Sequence, residues 1–295
     1  MLDLLTDRGW FWTAALFYLA VFIAGTVGLL RHGPRATNLT YALMLVGYAF
    51  QLAGLSLRGK AVGGCPLGNQ FEIFQFTAWS ATTLYLVVGV TFRSSMLGYF
   101  TGCLAAVLSL ISLAVPAWDA TRSSNLFGGN PWIEFHAALA LFSYGVFALL
   151  ALTSVMFLFR NYSLKVKRVG GWFSFLPSIL ELEVISLRLL VAAVAILTAS
   201  LAVGAAWWLR DTASANQGKI LVTVSVWAAA LVVLGLRLSS RLIARRFAWA
   251  CLMLFIAALL SLGPVDGSRH KPATKGVALG TQPRSEEHTS ELQSH

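Results

Sequence analysis

The chain has 295 residues, of which 57% are hydrophobic and only 12% charged. Soluble domains carry about 25% charged residues, so a soluble enzyme or nucleic-acid binder is excluded despite a net charge of +10. The apolar residues run in long blocks without helical or alternating period, which is the pattern of helices that are apolar all round and sit in lipid. The composition predicts an all-α, polytopic membrane bundle with about eight transmembrane helices.

Trp10 to Leu30 is the first predicted span, opened by a Trp-Phe-Trp cluster that suits the interfacial aromatic belt. No cleavable signal peptide is expected, because Leu2 to Arg8 is mixed in charge and the block that follows is too long for a signal h-region. A basic turn with Arg31, His32 and Arg35 leads to a second span, Leu39 to Leu57. The Gly-rich stretch RGKAVGGCPLGNQ, Arg58 to Gln70, reads as a loop. A third span lies within Phe71 to Phe92, with Glu72 at its mouth, and a minimal connection at Arg93 precedes the fourth, Leu97 to Val115. The polar loop PAWDATRSSNLFGGN, Pro116 to Asn130, precedes the fifth. After it, Asn161 to Pro177 is basic, and Ser178 to Arg188 reads as a short amphipathic helix in the interface plane. Leu189 to Leu209, Ile220 to Leu236 and Phe247 to Leu262 complete the eight.

The loop charges predict an orientation. One set of connections holds Arg31, Arg35, Arg93, Arg160, Lys165, Lys167, Arg168, Arg237, Arg241, Arg245 and Arg246; the other holds Arg58, Lys60, Arg122, Arg210 and Lys219. The positive-inside rule puts the first set in the cytoplasm, so both termini are expected outside. The membrane unit is expected to be residues 1–262. Gly263 to Pro283 is polar, rich in Gly and Pro, and expected to be disordered. Arg284 to His295, RSEEHTSELQSH, resembles the translated read-through of a sequencing adapter and is set aside from fold reasoning.

The fifth span, PWIEFHAALALFSYGVFALLALTSVMFLFR, carries His136 about one turn inside its outer end. His136 is the one histidine in the hydrophobic body; His32 sits in the basic turn and His270, His288 and His295 in the tail. Two readings are open. His136 is an interfacial anchor with an apolar body and a polar tip, which the bare sequence favours, or it is a ligand to haem iron or another metal, a frequent use of imidazole. Glu134 and His136, two positions apart, point away from each other on a helix, and Glu134 reads as an acid meeting the helix dipole. Cys65, Cys103 and Cys251 are scattered without a CxxC, so neither a dithiol centre nor a zinc knuckle is encoded. No Ser-His-Asp arrangement, carboxylate pair or phosphate-binding Gly loop appears, and no catalytic activity is expected.

Three stretches resemble the cytochrome c assembly family of CcsA/HemX-type membrane proteins. In LSLRGKAVGGCPLGNQFEIFQFTAWS, Arg58, Pro66, Asn69, Glu72 and Trp79 fall on the family's pattern. In the fifth span, His136, Ser143 and Tyr144 do so, and LPSILELEVISLRLL resembles the family's Leu-Pro helix before the sixth span. The resemblance implies a role in maturing c-type cytochromes in a bacterial cytoplasmic membrane, with haem held by histidines and presented on the outer face under a Trp-rich loop. Partner proteins there join it to the CxxCH motifs of an apocytochrome. This chain departs from that pattern. Its loop before the seventh span keeps only Trp207, Trp208, Asp211 and Lys219. Gln51 and Gly235 stand where histidines are expected, and a further external histidine after the eighth span is not evident. That resembles the shorter HemX-like branch.

The resemblance thus makes haem the expected cofactor, His136 the axial ligand, Trp132, Trp207 and Trp208 candidates to stack on the porphyrin, and Arg58, Arg122 or Arg210 candidates to pair with its propionates. For each Arg, a solvated loop residue is the favoured alternative, and Trp132, Trp207 and Trp208 equally suit the interfacial aromatic belt. The expected partners are membrane lipid, an assembly-partner membrane protein and apocytochrome c. The competing function is a regulatory or scaffold membrane protein of the same pathway that has lost haem binding. A transporter is disfavoured, because transporters place ionisable residues at the midplane and these spans are nearly free of charge.

Overall fold

The computed structural model describes residues 7–30, 37–89, 97–120, 130–167, 177–209, 217–242 and 244–267. These form eight α-helices, with no strand among the described residues: α1 (Asp7–Leu30), α2 (Thr37–Val62), α3 (Gln70–Gly89), α4 (Leu97–Ala114), α5 (Pro131–Lys165), α6 (Ile179–Trp208), α7 (Gln217–Leu238) and α8 (Arg245–Gly267). A 3₁₀ turn, Pro116–Asp119, follows α4. Six of the helices (all but α3 and α8) are long and apolar enough to cross a membrane, and the chain is a polytopic membrane helix bundle.

Local chemistry sets the helix starts. Asn130 caps α5 by accepting the Trp132 N–H at 3.0 Å, with Pro131 in the first turn, where its missing N–H costs nothing. Ser178 caps α6 by accepting the Glu181 N–H at 3.2 Å, which makes Ser-Ile-Leu-Glu a capping-box sequence. Inside the helices, hydroxyls that lipid would leave unsatisfied donate to carbonyls three or four residues back, as at Thr26, Thr82, Ser154 and Thr198.

α5 is the centre of the bundle. It packs along α6 and also touches α3 and α8, while α1 packs on α2 and α4, these two pack on α3, and α7 lies against α6 and α8. In its apolar window 72% of residues are buried, against 11% for α7, so α5 faces protein and α7 faces lipid. The approach of α5 to α3 depends on Gly145, where an added Cβ would fall on the Ser80 hydroxyl and within 2.8 Å of the Thr77 carbonyl.

Side-chain ties across the ends show the alternation of the helices. Arg58 near the end of α2 meets Asp7 at the start of α1, Glu72 at the start of α3 and Asp119 after α4. Glu134 at the start of α5 reaches the Cys65 N–H in the same layer. At the opposite end, Arg237 on the last turn of α7 pairs at 3.0 Å with Glu183 near the start of α6.

The helices differ from the sequence expectations at three places. Ser178 to Arg188 is no separate in-plane helix but the opening of α6, with Leu182, Ile185, Leu189 and Leu190 forming one buried stripe; Glu183 is tolerated there because Arg237 pairs with it. Arg58 lies on α2, which continues to Val62. α8 runs on to Gly267 rather than ending at Leu262. The rest of the tail, including Arg284 to His295, lies outside the described residues, as do His32, Arg122, Arg210 and Asp211.

Candidate functional site

His136 stands in the second turn of α5 and its ring lies against α6. Its Nδ1 is 2.7 Å from the Ser200 carbonyl and 3.2 Å from the Ser200 hydroxyl, and that hydroxyl donates to the His136 carbonyl at 3.1 Å. A carbonyl only accepts, so Nδ1 carries the proton and Nε2 holds the lone pair of the neutral ring. Nε2 makes no hydrogen bond among the described residues. A bond from Nδ1–H to a fixed oxygen sets the tautomer and the ring plane, as it does in histidines that bind metals and in those that only anchor a helix.

Gly204 makes room for the ring. A Cβ there would lie 2.8 Å from both Cε1 and Nδ1 of His136, so any larger residue displaces the imidazole. Ser200 and Gly204 are one turn apart on α6, and neither was singled out in the sequence. The signal for them is two small residues spaced i and i+4 in an apolar span, a common spacing whose partner is not visible locally.

The tryptophans gather at the same end. Trp207 lies seven positions after Ser200, on nearly the same face of α6, and Trp208 one position further. Trp132 lies one turn before His136 on α5. Trp132 is 60% exposed and Trp208 41%, so two indoles remain available beyond the histidine. Among the described residues, no group of three or more His, Cys, Asp or Glu side chains could hold a bare metal ion.

Arg58 overturns its solvated-loop reading. Its side chain is 0% exposed and is enclosed by three carboxylates. Nη1 and Nη2 grip Asp119 at 2.6 and 3.0 Å, Nε donates to Asp7 at 2.8 Å, and Nη1 reaches Glu72 at 3.5 Å. The guanidinium lies 4.4 Å over the Phe71 ring. Arg8 adds a second cation, 3.2 Å from Asp119. The physical reason is that α2 extends past the expected boundary, so Arg58 must find its counterions inside the bundle. Around it, Asn69 caps α3 by accepting the Glu72 N–H at 2.9 Å, and Glu72 accepts the Gly68 N–H at 2.6 Å. The family-pattern residues Arg58, Asn69 and Glu72 therefore form one joint between helices.

Gln51, standing where the resemblance expects a histidine, is fully buried in a polar network. It accepts from the Tyr18 hydroxyl at 2.7 Å and donates to the Gln75 side chain at 2.9 Å. Gln75 in turn donates to the Ser112 hydroxyl at 2.8 Å. Gly235 on α7 has open space where a Cβ would be. Tyr144 ties α5 to α8 through Ser261 at 2.7 Å. Cys65 is unpaired as a disulfide. Burial, and then the carboxylates of Glu134 and Glu72, push its thiol up to about 11, which leaves little thiolate near neutral pH.

Comparison with known proteins agrees with this architecture. The family model described as "Cytochrome C assembly protein" matches residues 67–264. The chain is 27% identical over 198 residues to Protein HemX of Bacillus subtilis strain 168, covering 66% of this chain and 68% of that protein. It is 25% identical over 227 residues to Protein HemX of Brevibacillus brevis, covering 74% and 83%. Cytochrome c biogenesis protein CcsA of Pyropia yezoensis is 29% identical over 162 residues, which cover 52% of this chain and 48% of that protein. With most of its helical body matched and HemX proteins aligned over two thirds or more of their length, this chain belongs to the cytochrome c assembly protein family, on its HemX-like side.

Proposed function

We propose that this protein is a haem-handling factor of c-type cytochrome assembly in a bacterial cytoplasmic membrane, with His136 as axial ligand on the outer face. One observation carries the reading: His136 is held by its Nδ1–H on the Ser200 carbonyl, which leaves the Nε2 lone pair without a hydrogen-bond partner among the described residues. If bound, haem would supply the iron centre that the cytochrome later uses, and His136 would hold it through Nε2. The protein's part is to bind, orient and release. Ser200 and Gly204 fix the plane of the imidazole. Trp132, Trp207 and Trp208 offer aromatic faces to the macrocycle. Arg58 is committed to Asp7, Glu72 and Asp119, so propionate pairing falls to other cations. An assembly-partner membrane protein and an apocytochrome are the recipients this role requires.

Titration of the detergent-purified chain with haem tests the reading. Wild type is expected to develop a sharp Soret band that His136→Ala does not. Absence of the band in wild type would assign the protein to regulation or scaffolding in the same pathway.

A further inference from the structure

A cavity of about 160 Å³ opens between the last turns of α5 and the first turn of α8, at the end of the bundle away from His136. A single water needs only about 10–15 Å³ on the same measure, so the cavity accepts a polyatomic group. It is lined by Leu158, Asn161, Tyr162, Lys165, Arg245 and Trp249. Lys165 and Arg245 come from two different helices, and neither has an ion-pair partner among the described residues. Asn161 and Tyr162 add an amide and a hydroxyl donor. Arg245 is also the first residue of α8, where unpaired backbone N–H groups and the helix dipole favour an anion.

The other walls point to the kind of anion. Leu158 and Trp249 give an apolar side, and Trp249 and Tyr162 are 46% and 61% exposed. Exposed Trp and Tyr at a helix end mark headgroup depth. By the positive-inside rule this basic end is assigned to the cytoplasmic leaflet, where anionic lipids lie and each Lys or Arg near the surface adds to their attraction. A ligand with a phosphate on one side and acyl chains on the other satisfies both halves of the cavity. We infer that the α5–α8 cavity binds an anionic glycerophospholipid, its phosphate between Lys165 and Arg245 and its chains along Leu158 and Trp249.

The site holds α8 against the central helix from the side opposite the Tyr144–Ser261 bond, and it stands independently of haem. Native mass spectrometry of the full chain tests it, with added phosphatidylglycerol or phosphatidylcholine of identical acyl chains. Wild type is expected to retain phosphatidylglycerol preferentially. Lys165→Gln/Arg245→Gln is expected to weaken that binding about 30-fold, and either single variant about fivefold. Arg241→Gln, which removes a cation from the same end but outside the cavity, is expected to change it little. Excess inorganic phosphate is expected not to compete. Equal retention of the two lipids, or a double variant indistinguishable from Arg241→Gln, would overturn the inference, and should the double variant not be recovered folded, the single variants are judged in the same way. Displacement of the lipid by inorganic phosphate would overturn it too, by making a free anion the ligand.

Discussion

Replacing Arg58 by Met removes a charge that four parts of the chain share. Asp119 would keep Arg8 at 3.2 Å, and Glu72 would keep the Gly68 N–H at 2.6 Å. Asp7 would lose both of its short contacts to the guanidinium, at 2.7 and 2.8 Å. Glu72 and Asp119 are 2% and 4% exposed, so water cannot replace what is lost. Removing one member of a buried ion network costs about 3–5 kcal/mol, because the carboxylates left behind lose their shared counterion while still buried. With about 2–4 °C per kcal/mol in a chain of this size, the melting temperature should fall by about 10 °C. In a background with Cys65 and Cys103 changed to Ser, a thiol-reactive fluorogenic maleimide reads the transition in detergent, since Cys251 is fully buried and reacts only on unfolding. The double variant Arg58→Met/Asp119→Asn should recover part of the loss, because it removes a carboxylate along with the cation. A single variant melting within a degree or two of wild type would refute the view that Arg58 is the joint of α1, α2, α3 and the turn after α4.

Gly204→Ala should cost about 1–3 kcal/mol by overpacking the His136 ring, and the penalty should vanish in a His136→Ala background; equal costs in the two backgrounds by thermal melting would show that Gly204 does not seat the ring. Gln51→Leu strands the Tyr18 hydroxyl and the Gln75 carbonyl oxygen inside the bundle and should destabilise by about 1–3 kcal/mol, with wild-type stability in the same assay as the contrary result. In a chain with Cys103 and Cys251 changed to Ser, Cys65 should alkylate slowly. Its thiol is raised to about 11, so the thiolate fraction, and with it the rate, should climb about tenfold per pH unit from roughly pH 7 to 10. A plateau near the ordinary thiol range would contradict the buried, carboxylate-flanked setting.

What the sequence made legible follows from which interactions are local. Blocks such as Ala137 to Phe159 announce a membrane helix on their own, and an Asn-Pro-Trp-Ile-Glu start announces where it begins. His136 stands out because it is the sole histidine in that apolar body. The contacts that give it a role are not local, since Ser200 and Gly204 sit on the next helix beyond a long basic connection. Arg58 looked like a loop residue because glycines follow it closely. Its counterions come from Asp7, Glu72 and Asp119, which only the folded bundle brings together. Likewise Glu181 and Glu183 made Ser178 to Arg188 look interfacial, whereas the cap at Ser178 and the partner Arg237 let it continue as α6.

The central claim is that His136 presents Nε2 to haem iron, and one spectrum tests it most directly. The chain is purified in mild detergent, titrated with haem, and recorded in the visible range beside His136→Ala. The expected result is a sharp, saturable Soret band in wild type that is lost or strongly weakened in the variant, with both proteins melting cooperatively. Identical bands in the two proteins would contradict a haem site at His136. No band in either would leave the bundle and its family standing and remove haem binding from its function.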